Sequence, residues 1–334
     1  MRVLVTGGAG YIGSHTAKAL ARAGHEPVVF DDLRTGHRSS VKWGQFVHGD
    51  LAEPGAIAGA LEDHGIEAVI HFAGSAYVGE STQNPRAYFR NNLVNSLALL
   101  DAMLDVRIKT IVFSSSCTVY GVPGSTPISE THAQRPVSPY GESKLAVERI
   151  LQWYGRAYGL KWIALRYFNA AGADLEGDLG EDHDPETHLI PLTILSGMGR
   201  RPPIEILGTD YETVDGTAVR DYVHVNDLAD AHVRAIAYLR DGGASQAMNL
   251  GTGVGHSVRE VLKEVEKVGG RPVPFVDSLR REGDVPLLVA DTALARRELG
   301  WIPVHSDLAT IVRSAWAWHL AGAPDRAAVL PEPA

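Results

Sequence analysis

A tyrosine and a lysine lie four residues apart in the segment YGESK, residues 140–144. On a helix this spacing places both side chains on one face. Ser138 and Pro139 predict an N-cap followed by proline at the first helical position, which puts Tyr140 in the first turn. There the positive end of the helix dipole and the ammonium group of Lys144 both favour a phenolate. The segment therefore predicts a tyrosine that exchanges protons with a substrate, although an exposed tyrosine with an unrelated lysine gives the same pattern.

The N-terminal residues predict an element that binds a cofactor beside such a pair. Val3–Thr6 is an apolar run of strand length, a glycine-rich turn follows, and Tyr11–Ala23 has helical character up to Gly24, a natural C′ glycine. Strand, turn and helix in this order are the context of a dinucleotide-binding fingerprint. Glycines let the turn be tight and let a pyrophosphate approach the helix N-terminus, and here they are Gly7, Gly10 and Gly13. A simple strand-to-helix turn would use glycines as well.

An acidic residue follows the second apolar run, Pro27–Phe30. It is Asp31, 18 residues after Gly13. A carboxylate at this place accepts hydrogen bonds from an adenosine ribose and repels a 2′-phosphate. The sequence therefore predicts NAD rather than NADP.

Apolar runs alternate with helical stretches through the first half of the chain. The next runs are Phe46–His48, Ala68–Phe72, Thr110–Phe113 and Trp162–Arg166, and a later one is Met248–Gly251. This alternation predicts an α/β fold with a doubly wound parallel sheet of Rossmann type. We expect a nucleotide-binding domain at 1–169 with return segments near 220–255, a smaller, mainly substrate-binding lobe at 170–320 interleaved with it, and a flexible tail at 321–334.

Composition narrows the functional class. The 334 residues leave room for two lobes, and 45% hydrophobic with 21% charged residues is ordinary for a globular protein. A net charge of −9 argues against a general binder of nucleic acids or anionic membranes. The first strand starts at residue 3, so we expect no signal peptide, and no apolar run has membrane-spanning length. A single cysteine, Cys117, fits a reducing compartment, and we therefore expect a cytoplasmic protein. The 14 histidines are scattered without helical ligand spacing, so no metal site is predicted.

Polar residues follow the fifth apolar run, at the edge where open α/β sheets place their ligands. They are Ser114-Ser115-Ser116-Cys117-Thr118. A serine hydroxyl there can hydrogen-bond both a substrate hydroxyl and the Tyr140 oxygen. This predicts a serine–tyrosine–lysine set in which Tyr140 exchanges the hydroxyl proton and Lys144 holds the phenolate and the nicotinamide ribose. The alternative is that the serines cap the next turn, and it remains open for Ser114 and Ser115.

Nine motifs extend this pattern between residue 1 and about residue 318. They are GGAGYIGS, HFAGSAYVGES, YFRNN, FSSSCTVYG, SPYGESK, LRYFNAAG, DGTAVRDYVHVNDLADAH, MNLGTGVGHSV and RREGD. In this order and spacing they resemble the UDP-glucose 4-epimerase family of extended short-chain dehydrogenases/reductases. The resemblance implies an isomerase that reversibly inverts C4 of a UDP-hexose, UDP-galactose to UDP-glucose, through a 4-keto sugar. It also implies a permanently bound NAD that takes the C4 hydride and returns it to the opposite face of the rotated sugar.

The resemblance and the motifs together assign the site residues. The catalytic set is Tyr140, Lys144 and Ser116. The cofactor set is Gly7, Gly10, Tyr11, Ile12, Gly13, Asp31, Asp50, Leu51, Phe72, Ala73, Asn92, Ser114, Tyr140, Lys144 and Tyr167. The substrate set is Ser116, Tyr140, Asn169, His188, Leu189, Arg220, Arg281, Asp284 and Leu288. Two guanidinium groups and a carboxylate are what a diphosphate and a ribose require.

Three positions depart from or vary within the family pattern. Ala76 replaces a lysine that some members place over the cofactor. His188 stands where others have asparagine. Leu288 matches a gatekeeper of the sugar pocket that is tyrosine in some members and small in others. Since leucine lacks the ring and hydroxyl of tyrosine, we expect room for a 2-N-acetyl group and hence interconversion of UDP-GlcNAc and UDP-GalNAc.

Alternative functions share this fold. A UDP-pentose or UDP-N-acetylhexosamine 4-epimerase would use the same site, and the sequence does not separate these substrates. A 4,6-dehydratase needs an acid and a base directly after the strand-five hydroxyl residue, which Cys117 and Thr118 cannot supply. A non-catalytic NAD-sensing protein would be expected to lose Tyr140 or Lys144, and both are present.

A homodimer is also expected, largely from the resemblance. Its contact helices would be the one through Tyr88 to Met103 and the one that starts at Ser138. Their apolar residues at helical spacing are Leu93, Leu97 and Leu100, and Leu145, Ile150 and Tyr154. The alternative is that both apolar faces pack on the sheet.

Overall fold

The apolar runs of the sequence form strands in the computed structural model, which describes residues 1–53, 55–281 and 284–322. In chain order the strands are β1 (Arg2–Thr6), β2 (Glu26–Asp31), β3 (Gln45–His48), β4 (Ala68–His71), β5 (Thr110–Ser116), β6 (Lys161–Tyr167), β7 (Asn169–Ala171), β8 (Ile204–Leu207), β9 (Val219–Arg220), β10 (Tyr222–His224), β11 (Gln246–Leu250), β12 (His256–Ser257), β13 (Phe275–Ser278) and β14 (Leu287–Leu288).

The helices fill the intervals between these strands. They are α1 (Tyr11–Arg22), α2 (Ala56–Asp63), α3 (Val78–Gln83), α4 (Pro85–Tyr88), α5 (Asn95–Asp105), α6 (Pro139–Tyr158), α7 (Leu189–Gly197), α8 (Val225–Arg240), α9 (Val258–Gly269), α10 (Ala293–Leu299) and α11 (Leu308–Ala321).

Seven parallel strands form the central sheet in the order β11-β6-β5-β4-β1-β2-β3. β1 lies in the interior of the sheet, with Val5 paired to Val29 on one side and to Ile70 on the other. Helices α2, α5 and α6 pack on one face, and α1, α8 and α10 pack on the other. A parallel sheet needs cover on both faces, which explains why the apolar runs are continuous rather than alternating. The predicted doubly wound Rossmann-type fold is confirmed.

A second lobe has its own apolar core, formed mainly by α7, α9 and α11. Its small sheets are β12-β9-β14 and β13-β8. The chain crosses between the lobes more than once. β11 follows β8, β9 and β10 in the sequence, yet it pairs with β6 at the edge of the central sheet. The tail predicted at 321–334 lies outside the described residues from 323 onward, and residue 321 still belongs to α11.

Two element boundaries affect the site. β5 extends to Ser116, three residues beyond its apolar run, so the serines lie at the carboxyl end of the strand as expected. The helix expected through Tyr88 to Met103 contains a π-helical turn at Phe89–Val94. Such turns break the regular hydrogen-bond ladder and often occur at functional sites.

Two of the residues expected at a dimer contact belong to the core instead. Leu100 and Leu145 are 1% and 2% exposed. Leu93, Ile150 and Tyr154 are partly buried against the core on the same face of the sheet. For Leu100 and Leu145 the alternative that they pack within the chain is the correct one.

Candidate active site

Helix α6 begins where the sequence predicts. Ser138 caps it, because its hydroxyl accepts a hydrogen bond from the Gly141 N–H at 3.2 Å, and Pro139 is the first helical residue. Tyr140 and Lys144 follow on one face and are 8% and 5% exposed. The Lys144 ammonium donates a hydrogen bond to the Ser114 carbonyl at 2.8 Å. The start of α6 is thereby joined to the carboxyl end of β5.

The proton of Tyr140 is held more tightly than the sequence predicts. Burial raises the pKa of Tyr140 to about 12, and a hydrogen bond with Ser116 opposes this rise only in part. The Lys144 Nζ lies 5.8 Å from the centre of the Tyr140 ring, and burial lowers the pKa of Lys144 to about 8. Burial, which removes the phenol from water, therefore opposes the phenolate that the helix start and Lys144 are expected to favour. A bound oxidised nicotinamide, the third positive group expected beside Tyr140, would act in the same direction as Lys144.

The three serines of β5 divide their contacts differently from the prediction. The Ser114 hydroxyl hydrogen-bonds the Tyr167 hydroxyl. The Ser115 hydroxyl donates to Glu148 Oε1 at 2.5 Å. Ser116 is the residue that caps the next turn, since its hydroxyl accepts from the Thr118 N–H at 3.2 Å. Ser116, the serine expected to be catalytic, therefore caps the turn and also contacts Tyr140.

Asn92 is positioned by the π-helical turn. Its amide oxygen accepts from the Ser75 N–H at 2.8 Å, and its amide nitrogen donates to the Ser143 hydroxyl at 3.1 Å. Ser143 precedes Lys144, so Asn92 joins the loop after β4 to the N-terminal part of α6. Asn92 is 2% exposed. This amide is therefore a fixed part of the wall beside Tyr140 and Lys144.

The glycine turn after β1 forms a cradle that only small residues allow. Gly7 has φ +70°, and a Cβ there would lie 2.6 Å from the Ala73 nitrogen. A Cβ on Gly13 would lie 2.3 Å from the Gly7 carbonyl oxygen. The turn therefore presents bare backbone at the N-terminus of α1, the arrangement that receives a pyrophosphate.

Asp31 stands at the end of β2 beside this cradle. Its carboxylate accepts hydrogen bonds from the Ala9 and Leu33 N–H groups, each at 2.9 Å. Burial raises the pKa of Asp31, while the two backbone donors lower it. The carboxylate is thus held next to the glycine turn, where a ribose of a bound dinucleotide would lie.

The other predicted cofactor residues line the same carboxyl edge of the sheet. Asp50 follows β3 and accepts from the Ala52 N–H at 2.8 Å, and Leu51 is buried beside it. Phe72 and Ala73 follow β4, and both of their N–H groups donate to the Thr6 carbonyl. Ile12 and Tyr11 open α1, and the Tyr11 hydroxyl donates to the Gly172 carbonyl at 2.6 Å.

The predicted diphosphate residues meet in the second lobe. Asp284 Oδ1 lies 2.8 Å from a terminal nitrogen of Arg281 and 3.6 Å from one of Arg220. Leu288 in β14 is paired in register with Arg220 in β9. Arg220 also lowers the pKa of the Cys117 thiol, which burial raises to about 12. Arg220 therefore acts electrostatically on the turn that follows β5.

Three further substrate candidates lie at the junction between the lobes. Asn169 opens β7, and Leu189 is the first residue of α7. His188 directs its Nδ1 to the Glu181 carboxylate rather than toward the two arginines. To contact the substrate as predicted, the His188 side chain would have to give up its hydrogen bond to Glu181.

The sequence analysis missed a buried ion pair behind the serines. Arg166 donates to both oxygens of Glu148, at 2.9 Å and 2.5 Å, and Glu148 also accepts from Ser115. Glu148 is four residues beyond Lys144, so it continues the face that carries Tyr140. That spacing is the signal that could have identified it.

Known proteins match this arrangement over most of the chain. A model of the NAD dependent epimerase/dehydratase family matches residues 3–251. A UDP-glucose 4-epimerase of Rhizobium meliloti is 52% identical over 317 residues, 95% of this chain and 96% of the relative. The chain belongs to this family, within its UDP-glucose 4-epimerase branch.

Solved members of the family have the same fold. A UDP-glucose 4-epimerase of Brucella ovis in complex with NAD is 53% identical, has a TM-score of 0.93, and covers 95% of this chain and 97% of its own. One of Stenotrophomonas maltophila with bound NAD and formylated UDP-arabinopyranose is 43% identical, with a TM-score of 0.94 and coverage of 98% and 100%. In this chain, none of the described helices is long and apolar enough to span a membrane.

Proposed function

We propose that the chain is an isomerase that catalyses the reversible NAD-dependent C4 epimerisation of UDP-hexoses, UDP-galactose to UDP-glucose. The observation that carries the proposal is the placement of Tyr140 and Lys144. Both are buried at the start of α6, and Lys144 Nζ donates to the Ser114 carbonyl at the carboxyl edge of the sheet, the edge that also carries the glycine turn after β1. Membership of the UDP-glucose 4-epimerase branch supports the same conclusion.

The residues present fit NAD. The glycine cradle would hold the pyrophosphate, and Asp31 would accept from the adenosine ribose and repel a 2′-phosphate. Lys144 would reach the nicotinamide ribose, and Asn92 would line the nicotinamide side. When bound, NAD supplies a hydride acceptor for the sugar C4 and, in its oxidised form, a positive charge beside Tyr140.

The chain's own residues manage the proton. Tyr140 takes the O4 proton as the 4-keto sugar forms and returns it when the ketone is reduced, so one group serves as base and then as acid. To accept the O4 proton Tyr140 must already be a phenolate, so its own proton leaves to solvent before the sugar is oxidised. Burial raises the pKa of Tyr140 and opposes this loss in the protein by itself, whereas the positive charges of Lys144 and of bound NAD would favour it. Ser116 contacts Tyr140 and orients the O4 hydroxyl. Lys144 is held by the Ser114 carbonyl and stabilises the phenolate while it exists.

The second lobe would hold the UDP group. Arg220 and Arg281 are suited to the diphosphate, because guanidinium forks bind phosphate oxygens in pairs. Asp284 would then accept from the UDP ribose, and Asn169 and Leu189 would contact the UDP group from the first residues of β7 and α7. A grip on UDP that leaves the hexose free allows the keto sugar to rotate, so that either face of C4 can be reduced.

The identity of the sugar is the open part of this proposal. Leu288 lacks the ring and hydroxyl of tyrosine, so we propose that UDP-GlcNAc and UDP-GalNAc are also interconverted, less efficiently than the unmodified pair. A UDP-pentose is the second candidate, and the UDP-arabinopyranose in the Stenotrophomonas maltophila relative favours it. A non-catalytic NAD sensor is the remote alternative, against which the intact Tyr140 and Lys144 argue.

The test is turnover by the purified protein without added NAD. We expect conversion of UDP-galactose to UDP-glucose, with NAD recovered from the denatured protein. UDP-GalNAc and UDP-xylose assayed in parallel rank the alternatives. No turnover of any of the three sugars, or NADP as the main nucleotide recovered, would contradict the proposal.

A homodimer in the cytoplasm remains part of the proposal. Val94 near α5 and Trp153 and Tyr158 on α6 are 54%, 63% and 53% exposed. Apolar side chains on neighbouring helices are suited to pairing with a second copy of the chain. Light scattering at micromolar concentration should give the dimer mass, and a monomer mass would count against the pairing.

A further inference from the structure

A segment at residues 172–188, here called the bridge segment, joins β7 to α7 and lies against the first domain. The Tyr11 hydroxyl donates to its Gly172 carbonyl at 2.6 Å. Lys42 Nζ donates to the Asp178 carbonyl at 2.7 Å, and the Tyr77 hydroxyl donates to the Pro185 carbonyl at 3.2 Å. The position of the bridge segment therefore affects both the cofactor side and the substrate side of the cleft.

Four side chains of the bridge segment converge on one point. They are Glu181, His183, Glu186 and His188, and one nitrogen or oxygen atom of each lies within 4.8 Å of all the others. His183 Nδ1 is 3.1 Å from Glu181 Oε1 and 3.9 Å from Glu186 Oε1. His188 Nδ1 is 3.8 Å from Glu186 Oε1 and contacts Glu181 Oε1 directly.

These separations suit a small tetrahedral cation. Zinc binds imidazole nitrogen and carboxylate oxygen at about 2.0–2.2 Å, so its ligand atoms lie about 3.3–3.6 Å apart. The distances of 3.1, 3.8 and 3.9 Å lie on either side of that range, whereas His188 Nδ1 and Glu181 Oε1 are in direct hydrogen-bond contact and would move apart to admit the ion. Two carboxylates and two neutral imidazoles would also balance the charge of a divalent ion.

Burial distinguishes the cluster from a solvated acidic patch. The Glu181 and Glu186 side chains are 5% and 4% exposed. His183 Nδ1 is buried and makes no hydrogen bond of good geometry with any residue in the described part of the chain, although it points at Glu181. The His183 ring is held edge-on by Tyr11 and Tyr77, with ring centres 6.2 Å away in both cases. An imidazole fixed in this way is oriented for a ligand rather than free to rotate.

A second acidic cluster in the same segment offers a contrast. Asp174, Glu176 and Asp178 also converge, but Lys18 Nζ lies among them at 2.6, 3.1 and 2.8 Å. That cluster already contains its cation. The histidine-containing cluster has no lysine or arginine among the ion pairs of its described members, and its carboxylates pair only with its own two imidazoles, which can exchange a proton for a metal ion.

We propose that Glu181, His183, Glu186 and His188 bind a divalent d-block cation of the zinc type. The ion fixes the bridge segment by linking its middle to His188, the N-cap of α7. It thereby holds Tyr11 and Tyr77, which contact the same segment, against the cofactor cleft. The corresponding sequence pattern is E-x-H-x-x-E-x-H over residues 181–188.

Zinc titration of the wild-type protein tests the site directly. The protein is treated with a chelator, dialysed and titrated with ZnCl₂ in a calorimeter. We expect one equivalent per chain with a Kd of about 1 μM or below. Co²⁺ in place of Zn²⁺ should give the intense visible absorption of a tetrahedral nitrogen and oxygen site. The absence of zinc binding by the wild-type protein would overturn the proposal.

Substitutions locate the bound ion. His183→Ala should weaken zinc binding by about 10²-fold or more, whereas His48→Ala, an exposed histidine outside the cluster, should leave the affinity unchanged. Glu181→Gln keeps the side-chain shape and provides a second variant if His183→Ala does not fold. Undiminished zinc affinity in a folded His183→Ala or Glu181→Gln protein would place the ion elsewhere and refute the assignment.

Discussion

At the start of α6 the polar groups of the site are buried and already satisfied by uncharged partners, whereas the arginines of the second lobe are balanced by a carboxylate. Lys144 donates to a backbone carbonyl, and Asn92 contacts a backbone N–H and a hydroxyl. Arg220 and Arg281 instead share one oxygen of Asp284, and the Arg281 side chain is 62% exposed.

This difference separates chemistry from binding. The proton-transfer groups are fixed before any ligand arrives, and preorganisation of this kind lowers the barrier of the chemical step. The arginines must exchange Asp284 for phosphate oxygens, so part of the Coulombic gain is spent on breaking ion pairs that already exist. Substitutions on the first side should therefore affect kcat, and those on the second side should affect ligand affinity.

The largest effect is expected at Tyr140. Tyr140→Phe removes the phenol oxygen proposed to exchange the O4 proton, and kcat should fall by about 10²-fold or more. Bound NAD and the melting temperature should not change, because the ring remains in place. Tyr158→Phe, an exposed tyrosine on the same helix, is the matched control. Full activity of Tyr140→Phe would disprove its role.

A smaller effect is expected on the diphosphate side. Arg220→Gln should weaken UDP binding by about 10- to 10²-fold, the value of one or two charge-assisted hydrogen bonds, with a lesser change in kcat. Arg280→Gln removes a neighbouring arginine that pairs with Asp210 at 2.6 Å and serves as control. Calorimetry with UDP gives the affinities. A loss of kcat at unchanged UDP affinity would reverse the assignment of the two sides.

Burial of Lys144 predicts a pH effect on stability. Its pKa is lowered from 10.5 to about 8, so between these values the unfolded chain binds a proton that the folded chain lacks. The contribution of Lys144 to the free energy of unfolding therefore rises with pH across this window, by at most about 1.4 kcal/mol per pH unit. Urea unfolding of nucleotide-free wild type and Lys144→Met should diverge in this direction. A pH-independent difference between them would mean that Lys144 is not held in the buried state described.

The smallest effect is expected at Leu288. Leu288→Tyr should lower kcat/KM for UDP-GalNAc relative to UDP-galactose by about fivefold. This corresponds to about 1 kcal/mol of transition-state free energy, the low end for one contact in an apolar pocket. The loss is steric, since the tyrosine ring would fill space that the N-acetyl group needs in both sugar orientations. Steady-state kinetics with both sugars gives the ratio. If neither protein acts on the N-acetyl sugar, or the ratio does not move, Leu288 is not the gate.

The sequence predicted the first side of the comparison better than the second. The capped start of α6 and the Gly7 turn are specified by residues adjacent in the chain, so local rules suffice for them. Contacts between distant residues, such as Lys144 with the Ser114 carbonyl, follow only from the order of strands in the sheet. The high pKa of Tyr140 depends on its burial, which the spacing of Tyr140 and Lys144 does not reveal.

The remaining differences arise where a local rule gave an incomplete answer. Helical periodicity located Asn92 in a helix but could not show that the helix widens into a π-turn there. The histidines of the bridge segment have no helical ligand spacing, because they converge from an irregular loop. Ser116 acts as a cap because β5 is three residues longer than its apolar run.

Proton NMR of UDP-galactose incubated with the purified protein in D₂O, without added NAD, tests the central claim most directly. A hydride that leaves C4 and returns within one closed site gives UDP-glucose whose C4 carries protium. Solvent exchange should be confined to the O4 proton handled by Tyr140. Formation of UDP-glucose with protium at C4 is the predicted result, and deuterium at C4 or the absence of UDP-glucose would contradict the account.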